Sequence, residues 1–161
     1  MPSLLGRGIA ASNLASAEAT SKYQNADSIE HNQEPRRITI TAVYSPELLD
    51  HFQNPRNVGD VETPDASAQT ENPACGDVLK LTAKLSGRHV ADIRFRAKGC
   101  VPAMACGSAI TELVKGKTVE EARQLSREEL VRKVGGLPQA SAHASHLAVD
   151  TLAELLRKLR V

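Results

Sequence analysis

Leu79-Lys80-Leu81-Thr82-Ala83-Lys84-Leu85, then Ser86-Gly87-Arg88, then Ala91-Asp92-Ile93-Arg94-Phe95-Arg96-Ala97 decide the fold. In both flanks apolar side chains alternate with polar ones, the period of a strand with one face on a core. The glycine-centred triplet between them is a turn. The pair therefore reads as a hairpin, with Leu79, Leu81, Ala83 and Leu85 facing inward beside Ala91, Ile93, Phe95 and Ala97.

Towards the C-terminus the period changes to that of helices. After Pro102, Cys106, Ala109, Ile110, Leu113 and Val114 share one face, and Gly116 closes the segment. Thr118 with Glu121 forms a capping box that opens a short helix to Leu125. Ser126 with Glu129 forms another, whose helix stops at Gly135-Gly136. From about Ser145 onward, Leu147, Ala148, Leu152, Leu155, Leu156 and Leu159 predict an amphipathic C-terminal helix.

Towards the N-terminus, residues 59–73 are polar and turn-rich, with room for one irregular strand. Ser45-Pro46-Glu47 starts a helix with a serine cap, and Tyr44 is placed to staple onto Leu49. Asn54-Pro55-Arg56-Asn57 ends it, because a residue before proline avoids the α region. Residues 1–40 read as a disordered extension, with a frayed helix at 15–22 and a weakly alternating edge strand at 38–43. Strands first and helices after give an α+β domain over residues 41–161: a small antiparallel sheet covered by helices.

The bulk composition narrows the function. Across 161 residues the net charge is +1, aromatics make up 2% and tryptophan is absent. A nucleic-acid surface, which draws on basic charge and stacking rings, is not expected. No apolar run approaches the roughly 18 residues that cross a bilayer. Leu4 and Leu5 run into Gly6-Arg7-Gly8 without an apolar export segment, and acidic residues interrupt any transit pattern. The three cysteines are then expected as reduced thiols in a cytoplasmic protein.

Three stretches carry chemistry. Cys75-Gly76-Asp77 puts a thiol and a carboxylate either side of a glycine, so both can face one point; a turn with a buried thiol and a solvated acid answers as well. Gly99-Cys100 precedes the helix at Pro102, where unpaired N–H groups favour thiolate; a packed small residue is the alternative. His143 precedes the last helix in His143-Ala144-Ser145 and reads as a ligand or as a capping residue. Cys106, on an apolar helix face, reads as a buried inert thiol. His146 shares a face with His143 only if both are helical. Arg36-Arg37, Arg94/Arg96/Lys98 and Arg157-Lys158-Arg160 read as solvated faces, and Arg56 within Asn-Pro-Arg-Asn less readily so. Thiolate, imidazole and carboxylate arriving from separate segments suggest a metal or iron–sulfur site.

These motifs, in this order, resemble the IscU/NifU N-terminal family of iron–sulfur cluster scaffolds. Tyr44-Ser45, Asp50-His51-Phe52 and Asn54-Pro55-Arg56-Asn57-Val58-Gly59 are similar to its opening helix and loop. Asn72-Pro73-Ala74-Cys75-Gly76-Asp77 is similar to its first ligand loop. Phe95, Gly99-Cys100, Ser108-Ala109-Ile110-Thr111-Glu112 and Lys115-Gly116-Lys117 are similar to its second. Gly135-Gly136-Leu137-Pro138, His143 and Ser145-His146-Leu147-Ala148 are similar to its third.

The resemblance implies a three-stranded antiparallel sheet packed against a layer of helices. It implies a scaffold, not an enzyme, that takes sulfur from a cysteine desulfurase, gathers iron, holds a labile [2Fe–2S] cluster and passes it to apo iron–sulfur proteins. Cys75, Asp77 and Cys100 take the positions of two of its three clustered cysteines and its aspartate, His143 matches the histidine beside its third cysteine, and Ala144 stands where that cysteine falls; Cys75, Asp77, Cys100 and His143 still make four possible ligands. The same four donors suit a tetrahedral zinc site, which leaves a zinc-binding sulfur relay as an alternative; a partner-binding module without metal is the other. The family's chaperone-recognition stretch continues with Pro and Lys, where this chain has Gln139, Ala140 and Ser141, so docking of an Hsp70-type chaperone is not implied.

Overall fold

A computed structural model describes residues 43–161. The expected N-terminal extension, the helix at 15–22, Arg36-Arg37 and all of the strand at 38–43 except Val43 lie outside the described residues.

Helix α1 (Pro46–Gln53) begins at Ser45, whose hydroxyl oxygen accepts the Leu48 N–H at 3.1 Å. The same hydroxyl donates to the Val134 carbonyl, which ties the start of α1 to the far end of the helical layer. Three strands follow: β1 (Ala66–Glu71), β2 (Val78–Ser86) and β3 (His89–Lys98). They form one antiparallel sheet in the order β1-β2-β3. The strand expected to be irregular is thus regular, paired with β2 from Ala66↔Ala83 to Glu71↔Val78.

The hairpin forms as expected, with one correction. Lys84 opposes Asp92, but Leu85 opposes Val90, so Ala91 is an extra residue. Such a bulge reverses the inward–outward phase beyond it. Val90 is fully buried and Ala91 exposed, whereas plain alternation placed Ala91 inward. Thr82 also departs from the pattern. It lies on the outer face yet is buried, because the Val61 N–H donates to its hydroxyl at 2.8 Å and the loop folds over it.

Helices α2 (Val101–Val114), α3 (Val119–Arg123), α4 (Arg127–Lys133) and α5 (Ala142–Lys158) make the second layer. Both capping boxes are present, at Thr118/Glu121 and Ser126/Glu129. Helix α3 stops two residues short of Leu125, and α4 ends ahead of Gly135 and Gly136, both at positive φ. Helix α2 is buried nearly all round rather than on one face, with Ala105, Gly107, Ser108 and Thr111 enclosed beside Cys106 and Ile110. That is the signature of a central helix. It crosses β3 closely because position 107 has no side chain: a Cβ there would lie 2.7 Å from the Phe95 ring.

Helix α5 begins at Ala142, three residues earlier than expected. A 3₁₀ turn (Gln139–Ser141) feeds straight into it, and Ser145 is an interior residue whose hydroxyl donates to the Ala142 carbonyl at 2.8 Å. The core lies between sheet and helices, with Leu48, Leu79, Leu81, Ile93, Ile110, Leu130 and Leu155 fully or almost fully enclosed.

The outer edge of β3 is covered at both ends. Asn57, at φ 54°, accepts the Phe95 N–H, and the Gly59 N–H donates to the Phe95 carbonyl. Lys117 and Gly116 bond Val90 in the same way. Arg56 is accounted for by ion pairs to Asp50 and Glu112 that clamp α1 to α2. Its backbone N–H donates to Ser108 Oγ at 2.9 Å. The arginines of β3 pair locally, Arg96 with Asp60 and Arg94 with Asp92. No helix among the described residues is long and apolar enough to cross a membrane.

His51, in α1, is 4% exposed, and its Nδ1 meets Ser108 Oγ at 2.9 Å. Burial pushes its pKa below the usual histidine value, against the pull of Glu112. In the unfolded chain the ring protonates near pH 6.5, so below about pH 6.5 the unfolded state binds the extra proton and gains. Folding stability should therefore fall as pH drops through that point. Urea midpoints at pH 7.5 and 5.5 should differ more for the parent chain than for His51→Gln.

Candidate metal centre

The loop from Asn72 to Asp77 joins β1 to β2 and is closed by its own backbone. The Asn72 N–H donates to the Asp77 carbonyl at 2.8 Å, and the Gly76 N–H to the Asn72 carbonyl at 2.7 Å. Asn72 Oδ1 accepts the Ala74 N–H, an Asx turn. Gly76 sits at φ +72°, which only glycine adopts without strain, and this turn separates Cys75 from Asp77.

The outcome inverts the simple turn reading: the thiol of Cys75 is exposed and the carboxylate of Asp77 is 4% exposed. Asp77 lies flat against the next segment. Its Oδ1 accepts the Cys100 N–H at 3.1 Å, and its Oδ2 accepts the Cys100 thiol at 3.1 Å. This approach needs a glycine at position 99, where a Cβ would stand 2.2 Å from Asp77 Oδ1. Burial alone would raise the pKa of Asp77. Hydrogen bonds from the Cys100 and Cys75 thiols and the Cys100 N–H, with His143 nearby, outweigh it and hold the carboxylate below its usual range.

Cys100 is the N-cap of α2. The sequence expectation of a helix-favoured thiolate is corrected here. Burial pushes the thiol up to about 11, and the Asp77 carboxylate adds to it, while the Ala103 N–H pulls the other way. The field of one helix end is smaller than the cost of burying an anion, here beside a carboxylate as well. The sulfur is thus a protonated donor to Asp77, and any metal bound to it would have to displace that proton.

His143 lies in the first turn of α5 and not ahead of it. Its Nε2 is 3.5 Å from Asp77 Oδ2 and 3.9 Å from Cys100 Sγ. Donor atoms of Cys75, Asp77 and His143 all lie within 4.8 Å of one another. The structure therefore brings Cys75, Asp77, Cys100 and His143 to one tip, from the β1–β2 loop, the start of α2 and the start of α5. Ala144 is 1% exposed and points into the core. Cys106 is fully buried, its thiol pushed up to about 12 by burial, in keeping with an inert packing role. His146 shares the helix with His143 but its Nε2 accepts from Arg127 at 3.2 Å. Sequence reasoning missed the part played by Gly99. The only signal was its place just before Cys100.

The profile of the NifU-like N-terminal domain matches residues 43–160. The chain is 44% identical over 110 residues to the iron-sulfur cluster assembly scaffold protein IscU 1 of Archaeoglobus fulgidus, covering 68% of this chain and 72% of that one. It is 39% identical over 113 residues to the iron-sulfur cluster assembly scaffold protein IscU of Escherichia coli, covering 68% and 88%. Among solved structures, the N-terminal NifU-like protein of Brucella abortus superposes with a TM-score of 0.60 at 22% identity, over 74% of this chain and 96% of that one. A three-stranded antiparallel sheet under helices, the converging donors and a profile that spans the described residues all agree: the chain belongs to the NifU-like N-terminal domain family.

Proposed function

We propose that this chain is an iron–sulfur cluster assembly scaffold that holds a transient [2Fe–2S] cluster at Cys75, Asp77, Cys100 and His143 and passes it to apo iron–sulfur proteins. The observation that carries the reading is the meeting of two thiols, a carboxylate and an imidazole at one accessible tip. The printed names of the A. fulgidus and E. coli relatives support it. Thiolates suit iron and sulfide-bridged clusters, and imidazole can replace thiolate on one iron. A cysteine desulfurase is the sulfur source that this role calls for, and a cytoplasmic setting suits the reduced thiols.

The site is built for loose holding. Asp77 is already committed to Cys100, and the Cys100 proton must leave before its sulfur binds. A cargo held this way leaves readily, as delivery demands. The role is that of a carrier and not of a catalyst. The same donors also suit tetrahedral zinc.

Anaerobic reconstitution with ferrous iron and sulfide should give visible sulfur-to-iron charge-transfer absorption, and Cys100→Ser should remove most of it. Unchanged absorption in Cys100→Ser overturns the site. Stoichiometric zinc in protein purified without added metal, with no colour on reconstitution, would establish the zinc reading instead.

A further inference from the structure

A groove of about 420 Å³ runs beside the metal centre, between the end of β1 and one face of α5. Glu71 and Pro73 line one wall; His143, His146, Leu147 and Asp150 line the other. His143 belongs to both the groove and the donor cluster, so the groove opens onto the donors. Its volume falls in the range of small-molecule sites.

The lining has a definite polarity. Glu71 and Asp150 are carboxylates that enter no ion pair among the described residues, and they suit an ammonium group. The Arg127 guanidinium donates to His146 Nε2 at 3.2 Å, so a fixed positive charge stands beside this wall to face a carboxylate. Pro73 and Leu147 add a short apolar surface. A bare cation fits less well, because Arg127 stands against His146. An anion fits less well too, with two free carboxylates in the walls.

The donor set next to the groove is short of sulfur. The protein brings two thiols to the tip, its other donors there are the Asp77 carboxylate and the His143 imidazole, and Ala144 offers no donor atom. Soft metals prefer thiolate to carboxylate.

We propose that this groove seats a small zwitterionic thiol, of the class of free cysteine, whose sulfur adds a third thiolate to the metal held by Cys75 and Cys100. The inference rests on the function proposed above and names a ligand for the same site. In the step, the ligand's S–H bond breaks, its proton goes to solvent, and a sulfur–metal bond forms; nothing is oxidised or reduced.

The test uses the full chain loaded anaerobically with one equivalent of cobalt(II). Titrated L-cysteine should raise the thiolate-to-cobalt absorption to a plateau. Half-saturation should come at a concentration about tenfold below that for 2-mercaptoethanol, which has the thiol without the charges, a gain of ~1.4 kcal/mol. Asp150→Asn should shift the L-cysteine midpoint up by a similar factor and leave cobalt binding without cysteine unchanged. On the metal-free chain, S-methyl-L-cysteine should perturb the amide NMR signals of His146 to Asp150.

Equal midpoints for the two thiols, an unmoved midpoint in Asp150→Asn, or removal of cobalt from the protein by cysteine would each overturn the proposal. Failure of cobalt to bind at all would overturn the metal-site reading instead. In that case the S-methyl-L-cysteine titration still decides whether the groove takes an amino acid.

Discussion

Replacing Gly99 by alanine should dismantle the proposed metal centre without replacing any of its donors. The new methyl group would stand 2.2 Å from Asp77 Oδ1 and 2.6 Å from its Cγ, so the carboxylate must leave. It then loses the Cys100 N–H and the Cys100 thiol together. Hydrogen bonds to a charged group contribute about 1.5–3 kcal/mol each, so a destabilisation of ~3 kcal/mol is expected. Removing the partner that orients a ligand commonly lowers metal affinity by about 10–100-fold, and a loss in that range should appear in a cobalt titration. The cause can be isolated. In an Asp77→Gly background, where the clashing atoms are gone, Gly99→Ala should add little. Equal losses in both backgrounds would show that backbone strain at Gly99, and not the carboxylate, is responsible.

Phe95→Ala should be the most damaging single change in the core. The ring is 2% exposed and lies against the bare backbone of Gly107, where α2 crosses the sheet. Truncating a buried phenylalanine costs about 3–5 kcal/mol, a large share of the roughly 5–15 kcal/mol that holds a domain folded. The backbone of Phe95 also receives the edge cover from Asn57 and Gly59, so a shift of β3 would loosen that loop as well. Denaturant unfolding should show a much lower midpoint, and the metal centre should weaken with it. A midpoint close to that of the parent chain would mean that α2 collapses into the space, and the tight crossing would lose its importance.

What could be read from the chain alone was what neighbours in sequence decide. The hairpin, both capping boxes and the serine start of α1 are local signals, and the structure contains each of them. Strand β1 was poorly legible because Ala-Ser-Ala-Gln-Thr-Glu has no large apolar side chain; its inward face is made of alanines packed under α5. The bulge at Ala91 was invisible because it is defined by the partner strand's register. The protonation of Cys100 escapes the sequence for the same kind of reason. A helix end can be seen in sequence, whereas the burial of the thiol, and a carboxylate seated against it through a glycine 22 residues further on than the acid, cannot. The four donor positions are legible in the order of the motifs, whereas the distances between them depend on the packing of three separate segments.

The donors arrive from segments well separated along the described chain, and that fixes the order in which the tip can form. His143 stands in the first turn of the last helix, whose packing against β1, β2 and α2 places it. A nascent chain whose α5 is still inside the ribosomal exit tunnel holds Cys75, Asp77 and Cys100 without the imidazole of His143. A chain cut short before α5 would therefore lack one of the four converging side chains.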